Sequence, residues 1–290
     1  MGFVMSQHKS QRGFVTFAQN TESVDYLKLA YLQAMNIKST QPSAEYAVIV
    51  DKSTAQLVTD QHRQVFDYVI ELTDDYNDPD SNWKLSNEWQ VFWLTPFKET
   101  IKLESDLLFG RSIDHWWNTF RLKDIVLSTG CKNYLGKMSN VRTYRQLFDD
   151  NNLPDVYNGL MYFRYSKTAV DFFVLAKQLT LNWLEIKDQI LKNCREDKPS
   201  TDVLYAIVTE VIGREHCTIP SADFINFVHM KSSINGLDEN RSWADSVIGE
   251  FDGDIIRVNN LNQYYPVHYF DKNFATDEII KYYEQRIGIT

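Results

Sequence analysis

The residues in this sequence best placed to do chemistry are Glu104 and Asp106, an acid-x-acid triplet inside the run Thr100-Ile101-Lys102-Leu103-Glu104-Ser105-Asp106-Leu107-Leu108-Phe109. Apolar residues flank the triplet on both sides, as they would in a strand. Positions i and i+2 of a strand share a face, so both carboxylates are expected to point the same way. Two like charges near a buried edge are costly unless a cation offsets them. A hard divalent ion, Mn²⁺ or Mg²⁺, takes oxygen ligands and keeps positions open for a diphosphate. Such a triplet alone is more often a strand fraying into an acidic turn. Its place after an apolar strand, with further signals on both sides, raises the metal reading.

The elements that must position it follow from the pattern of apolar residues. Gly13–Ala18 reads as a strand ending at Gln19-Asn20-Thr21. A helix follows from about Ser23, with Val24, Leu27, Ala30, Tyr31, Ala34 and Ile37 at helical spacing. Ala47–Val50 is a buried-type strand ending at Asp51, a helix covers about Thr54–Phe66, and Tyr68–Leu72 is the next strand. Alternation of this kind builds an open parallel sheet, whose ligands bind beyond the carboxyl ends of its strands. Asn20 and Asp51 stand at such ends. An acidic, turn-rich loop at 74–80 leads to a helix over about Trp83–Phe92, which feeds the carboxylate strand. Beyond it come strands at 125–127 and 157–163, an amphipathic helix to about Lys192, a helix over Asp202–Ile212, and a strand over Phe224–His229. The tail from Gly249 reads as irregular β structure with a final helix near Asp277–Arg286.

Composition bounds the possibilities. The 290 residues suffice for one large core, and a net charge of −9 argues against a generally basic, non-specific nucleic-acid binder. Cys131, Cys194 and Cys217 are odd in number and lack C-x-x-C spacing, which favours free thiols in a reducing cytoplasm over a zinc cage. No apolar run reaches membrane-spanning length, so a cytoplasmic protein without a membrane partner is expected.

The order of motifs is more telling than any one of them. A strand ending at Asn20 is followed by Glu104-x-Asp106, Tyr157-Asn158-Gly159, Ser200-Thr201-Asp202 and Val228-His229-Met230-Lys231. Over roughly residues 13–235 this series resembles the glycogenin-like glycosyltransferases of the GT-A fold, and it is similar to glycosyltransferases carried by tailed phages. The resemblance implies an α/β fold of GT-A type, a Rossmann-like, open and mainly parallel sheet with flanking helices. It divides the chain into a lead-in at 1–12, a catalytic domain at 13–248 and a C-terminal extension at 249–290 packed on that domain. It implies transfer of a sugar, with retention of configuration, from a nucleoside diphosphate donor, UDP by analogy, aided by Mn²⁺ or Mg²⁺. Phe17, Gln19 and Asn20 fall where the base and ribose are held, and Lys84 and Lys231 near the donor sugar and diphosphate. Glu104 and Asp106 match the family's D-x-D, and His229 the late histidine that completes the metal site, with His268 as a fallback. Asn158 and Asp202 fall in the sugar pocket, as residues for catalysis. Two departures stand out: Glu104 replaces an Asp, and the motif at His229 lacks the family's Gly and Lys-Pro-Trp continuation.

Each residue also has a plain structural reading. His229 could be a hydrogen-bonded core histidine, Asn158-Gly159 a turn, and Asp202 a helix-start acid. Trp116-Trp117 could be packing, and Lys84 and Lys231 surface lysines. A nucleotidyltransferase is the rival enzyme class, but Phe17–Thr21 is not the Gly-rich, basic loop it needs. An inert nucleotide-sugar-binding module is a third reading. For the acceptor, residues 111–145 carry seven basic residues against two acidic ones. With the resemblance to phage sequences, that segment points to 5-hydroxymethylcytosine in duplex phage DNA. Arg121, Arg142 and Arg145 would contact phosphates, with Trp116 and Trp117 near an extruded base. A protein or glycan acceptor is the alternative.

Overall fold

Continuous apolar runs such as Tyr46–Val50 cannot expose either face of a strand, so they go to the middle of a sheet covered on both sides. All five of these residues are buried. The computed structural model describes residues 9–78, 81–139, 141, 145–252 and 255–289. In chain order the first elements are β1 (Ser10–Ala18), α1 (Tyr26–Thr40), β2 (Tyr46–Val50), α2 (Lys52–Ala55), α3 (Asp60–Val65) and β3 (Tyr68–Glu71). Next are α4 (Val91–Leu94), β4 (Phe97–Leu103), β5 (Leu107–Leu108), α5 (Trp116–Phe120), β6 (Ile125–Ser128), β7 (Cys131–Lys132), α6 (Gln146–Asp150) and β8 (Tyr157–Arg164). Then follow α7 (Lys167–Leu181), α8 (Trp183–Ile190), α9 (Thr201–Ile212), α10 (Arg214–Cys217) and β9 (Phe227–His229). The tail holds β10 (Gly249–Asp252), β11 (Ile255–Val258), β12 (Leu261–Asn262), β13 (Val267–His268) and α11 (Asp277–Arg286).

The fold is α/β: an open six-stranded sheet in the order β3-β2-β1-β4-β8-β6, flanked by helices. The first four strands in that order run parallel, and β8 is antiparallel to both β4 and β6. Two apolar clusters cover its faces. One includes α1 and residues from the C-terminal strands and α11; the other includes α7 and α9. Gly13 marks a tight contact between β1 and the start of β4, because a Cβ there would lie 2.3 Å from the Phe97 ring. The chain leaves β1 for β2 and β3 on one side and returns as β4 on the other. That reversal makes the β1/β4 boundary the switch point where such sheets bind ligands.

The local pattern was misleading in four places. The acidic triplet does not ride on one strand. β4 ends at Leu103, and Glu104-Ser105-Asp106 turns the chain out of the large sheet into β5 of a second sheet, ordered β5-β13-β9-β7. The expected helix at 54–66 is two short ones, the second restarted by Thr59, whose hydroxyl accepts from the His62 N–H. The expected helix at 83–92 shrinks to a 3₁₀ turn at Glu88–Gln90 and one turn of α4. The helix expected to run to Lys192 breaks at Asn182 into α7 and α8.

Candidate active site

The turn that carries the two acids is held by amide side chains from α1. Gln33 Nε2 donates to the carbonyls of Glu104 (2.6 Å) and Leu107 (2.7 Å), and its Oε1 accepts from the Tyr46 hydroxyl. Asn36 donates to the Phe109 carbonyl at 2.9 Å and accepts from the Phe109 N–H at 2.8 Å. Buried amides inside a helix cost free energy unless both ends are bonded, and here they satisfy backbone groups that leave the sheet. Glu104 N–H donates to Gly159 O on β8 at 3.0 Å. A Cβ on Gly159 would lie 3.3 Å from Glu104 Oε2 and 3.1 Å from the Phe227 ring, so glycine makes room for the carboxylate.

β5 then pairs antiparallel with β13, setting Leu107 opposite His268. This register carries His268 to the acids. Its Nε2 lies 2.8 Å from Asp106 Oδ2 and 3.3 Å from Glu104 Oε2. Ligand atoms of Glu104, Asp106 and His268 all lie within 4.8 Å of one another. Lys272, just past β13, places its ammonium on Asp106 Oδ2. β9 runs parallel to β13 with His229 opposite His268, and the two rings stack at 4.4 Å.

The charges follow from these contacts. Burial works against ionising Asp106, but His268 and Lys272 outweigh it and hold the carboxyl well below its usual range. Burial comes first for Glu104 as well, and with Asp106 and Asp202 nearby it raises that carboxyl against the pull of His268 and Lys102. Burial disfavours charge on His268, yet Asp106 lifts its pKa. His229 is pushed well below the ordinary imidazole value, by burial first and then by His268. Lys272 also keeps its proton, because Asp106 outweighs burial.

Beside this cluster lies a cavity of about 320 Å³ at the carboxyl ends of β1 and β4. Thr16, Phe17, Gln19, Lys84, Lys102, Glu104, Asp106, His268 and Lys272 are among its lining residues. Of the residues read from the sequence, Phe17, Gln19, Lys84, Glu104 and Asp106 therefore meet at one place. Gln19 spends its amide on the loop above: Nε2 donates to Lys84 O, and Oε1 accepts from Asn77 and Asn87. Asn20 lies outside the lining and fixes the start of α1, where Oδ1 accepts from the Leu27 N–H at 2.9 Å. Lys231 lines a neighbouring cavity of about 540 Å³ that shares Phe270 and Lys272 with the first.

The remaining residues fall elsewhere. The three-residue group contains His268, where the sequence pointed first to His229. Asn158 and Asp202 lie outside the cavity lining and bond each other, Asn158 N–H to Asp202 Oδ1 at 2.6 Å. Asp202 also takes Arg145 Nη1 at 2.9 Å. Arg145 is 2% exposed, pairs with Asp155 as well, and lies over the Phe148 and Tyr157 rings, so it is not a surface phosphate contact. Trp116 and Trp117 are core residues packed on Phe224 and Phe14, not a stacking platform for a base. Arg121 is partly open and pairs with Glu99. Arg142 lies outside the described residues. The sequence reading missed Lys102, Lys272, and the buried amides Gln33 and Asn36. For Lys102, Gln33 and Asn36 the signal was a polar side chain within an otherwise apolar segment; Lys272, in Asp271-Lys272-Asn273, gave none. Among the described residues no helix is long and apolar enough to cross a membrane.

No protein-family model matches the chain, and no curated protein matches it. Among solved structures it is similar to the galactosyltransferase LgtC in complex with donor and acceptor sugar analogues. The identity is 13%, the match covers 68% of this chain and 70% of that one, and the TM-score is 0.47. It is also similar to mouse xyloside xylosyltransferase 1, at 12% identity over 72% of this chain and 84% of that one, with a TM-score of 0.43. A third is 4-diphosphocytidyl-2C-methyl-D-erythritol synthase from Anaerococcus prevotii, at 10% identity over 78% and 91%, with a TM-score of 0.36.

Proposed function

We propose that this protein is a metal-dependent glycosyltransferase of GT-A type that moves a sugar from a nucleoside diphosphate, UDP by resemblance, to an acceptor hydroxyl. The observation that carries the reading is the meeting of Glu104, Asp106 and His268 at the wall of a cavity on the sheet's switch point. Two carboxylates and an imidazole suit Mn²⁺ or Mg²⁺, and three protein ligands leave room for phosphate oxygens. When bound, such an ion would act as a Lewis acid toward the leaving diphosphate.

The chain's own groups supply the rest. Lys272, charged and beside Asp106, adds positive potential where the departing phosphate gains negative charge. Lys84 lines the same cavity and adds to that field. Phe17, near the end of β1, lines the cavity where the resemblance places the base, while Gln19 bonds the loop carrying Lys84. Asn158 and Asp202 bond each other outside the cavity lining, and the charge of Asp202 reaches Glu104; a role for them in orienting sugar hydroxyls rests on the family resemblance alone. Retention of configuration comes with the family resemblance.

For the acceptor we keep 5-hydroxymethylcytosine in phage DNA, supported by the resemblance to phage sequences and by the basic segment at 111–145. With Trp116, Trp117, Arg145 and Lys132 buried, contacts would fall to Arg111, Arg121, Lys123 and Lys137. The three free cysteines suit a reducing cytoplasm. The test offers a panel of nucleotide sugars with Mn²⁺, first alone and then with duplex DNA with or without hydroxymethylcytosine. Released nucleotide is measured, and the digested DNA is weighed by mass spectrometry. Donor turnover that needs the metal is expected, with a sugar-sized mass gain on the hydroxymethylated DNA only. Transfer to protein or glycan alone removes the DNA acceptor. No turnover of any donor removes the enzyme reading.

A further inference from the structure

Lys102 stands on β4 two residues before Glu104 and is 1% exposed. Its Nζ lies 2.5 Å from Glu88 Oε2, and both residues line the cavity beside the acidic cluster. Lysine is almost never fully buried unless paired. A buried ion pair is also no stability device, since an apolar pair of the same volume does as well or better. Stability therefore does not account for this pair in the floor of a binding cavity.

The hydrogen bonding around the pair is incomplete. Lys102 Nζ is buried and, apart from the ion pair, completes no hydrogen bond. Glu88 Oε2 takes both the ammonium and, at 3.5 Å, Asn158 Nδ2, which leaves Oε1 for a ligand. Glu88 opens a 3₁₀ turn directly after Asn87, whose amide is fixed by Gln19 Oε1 (2.8 Å) and Asp75 Oδ1 (2.7 Å). The carboxylate is thus held in place before anything binds. A rigid donor beside a rigid acceptor complements two adjacent hydroxyls. One hydroxyl oxygen accepts from the ammonium, and its neighbour donates to the carboxylate.

We infer that Lys102 and Glu88 together read a vicinal hydroxyl pair on the donor sugar and so set which sugar is accepted. The inference rests on the donor-site reading above. A site built on buried charged partners rejects an analogue that lacks the hydroxyl, because those partners are then left unpaired.

The test compares wild type with K102M, E88Q and the double variant K102M/E88L by calorimetry in Mn²⁺. The titrants are UDP, UDP-glucose, UDP-galactose and analogues of each lacking one ring hydroxyl. Single variants leave a buried charge alone and can fail to fold, whereas the double variant replaces the pair by apolar groups of similar size. A thermal melt checks each. The double variant should still bind UDP in Mn²⁺. It should lose at least about tenfold of the affinity that an intact sugar adds. It should also no longer separate that sugar from the two analogues lacking adjacent hydroxyls. A folded double variant with undiminished discrimination overturns the inference, as does a wild type that gains nothing from the sugar although it binds UDP. Failure of wild type to bind any nucleoside diphosphate with Mn²⁺ overturns the donor site itself, and this inference with it.

Discussion

Replacing the two stacked histidines one at a time separates the proposed metal ligand, His268, from its support. His268→Ala removes the Nε2 that lies 2.8 Å from Asp106 and 3.3 Å from Glu104. Asp106 keeps Lys272, so the buried carboxylate is not orphaned and the fold should hold. Changing a residue that only orients a ligand costs roughly 10–100-fold in metal affinity, so losing the ligand itself should cost more than about 100-fold. His229→Ala removes a ring stacked at 4.4 Å and no atom of the cluster. Its loss should be about tenfold. Free Mn²⁺ followed by electron paramagnetic resonance, with a melt for each variant, gives both numbers. The pH dependence adds a second reading. Burial opposes the His268 charge, but Asp106 lifts its pKa above the ordinary 6.5, so a proton competes with the ion at Nε2. Mn²⁺ affinity should therefore climb as pH rises through that raised value. Stability without metal runs the other way. The His268–Asp106 contribution is complete below about pH 6.5 and fades as pH rises through the folded pKa. A greater loss in His229→Ala than in His268→Ala, or a wild-type affinity flat with pH, would refute the assignment.

Arg145→Met should behave as a core lesion rather than a lost nucleic-acid contact. It takes a buried guanidinium away from Asp155, Asp202 and two rings, for roughly 3 kcal/mol or roughly 6 °C of melting temperature, while Arg121→Ala at a partly open pair changes the melt little. A salt-dependent loss of DNA binding by Arg145→Met with an unchanged melt would count against this. Burial pushes the Cys217 thiol up to about 12, so alkylation at pH 8 should wait for unfolding. Rapid modification of Cys217 in the native protein, mapped by peptide mass, would contradict it.

What could be read from the sequence was what short-range pattern encodes. Alternating apolar strands and helices up to residue 72 foretold the parallel half of the sheet, and with it a cavity at the end of Phe17 and Gln19. The Glu104-x-Asp106 pair was visible because both acids interrupt an apolar run. The third partner was obscured by distance and brevity. β13 is two residues long, and it meets β5 across more than 150 residues of chain, so no periodicity announces it. Val228-His229 looks the more strand-like of the two histidine segments, and it does form β9. Register then puts His229 one strand further from the acids. Trp116, Trp117 and Arg145 show the converse failure. Residue type suggested a nucleic-acid surface, but rings and a guanidinium can equally fill a core when acids lie within reach, as Asp155 and Asp202 do here.

The site joins two sheets, and this ties its geometry to the folding of the tail. Glu104 leaves the large sheet and Asp106 enters the small one, within a single turn clamped by Gln33 and Asn36 of α1. Asn36 also donates to the Tyr283 hydroxyl of α11 at 2.7 Å, so one buried amide contacts both the acidic turn and the final helix. β13, which brings His268, pairs with β5 on one side and β9 on the other. Asp106 O accepts from the Tyr269 N–H at 3.1 Å, adding a backbone link next to the side-chain one. An acidic pair without the tail would face its own repulsion near a buried edge. With the tail in place, His268 and Lys272 supply the offsetting charge in the folded protein before any ion binds. The cluster is thus both a candidate ligand set and part of what holds residues 262–289 onto the sheet.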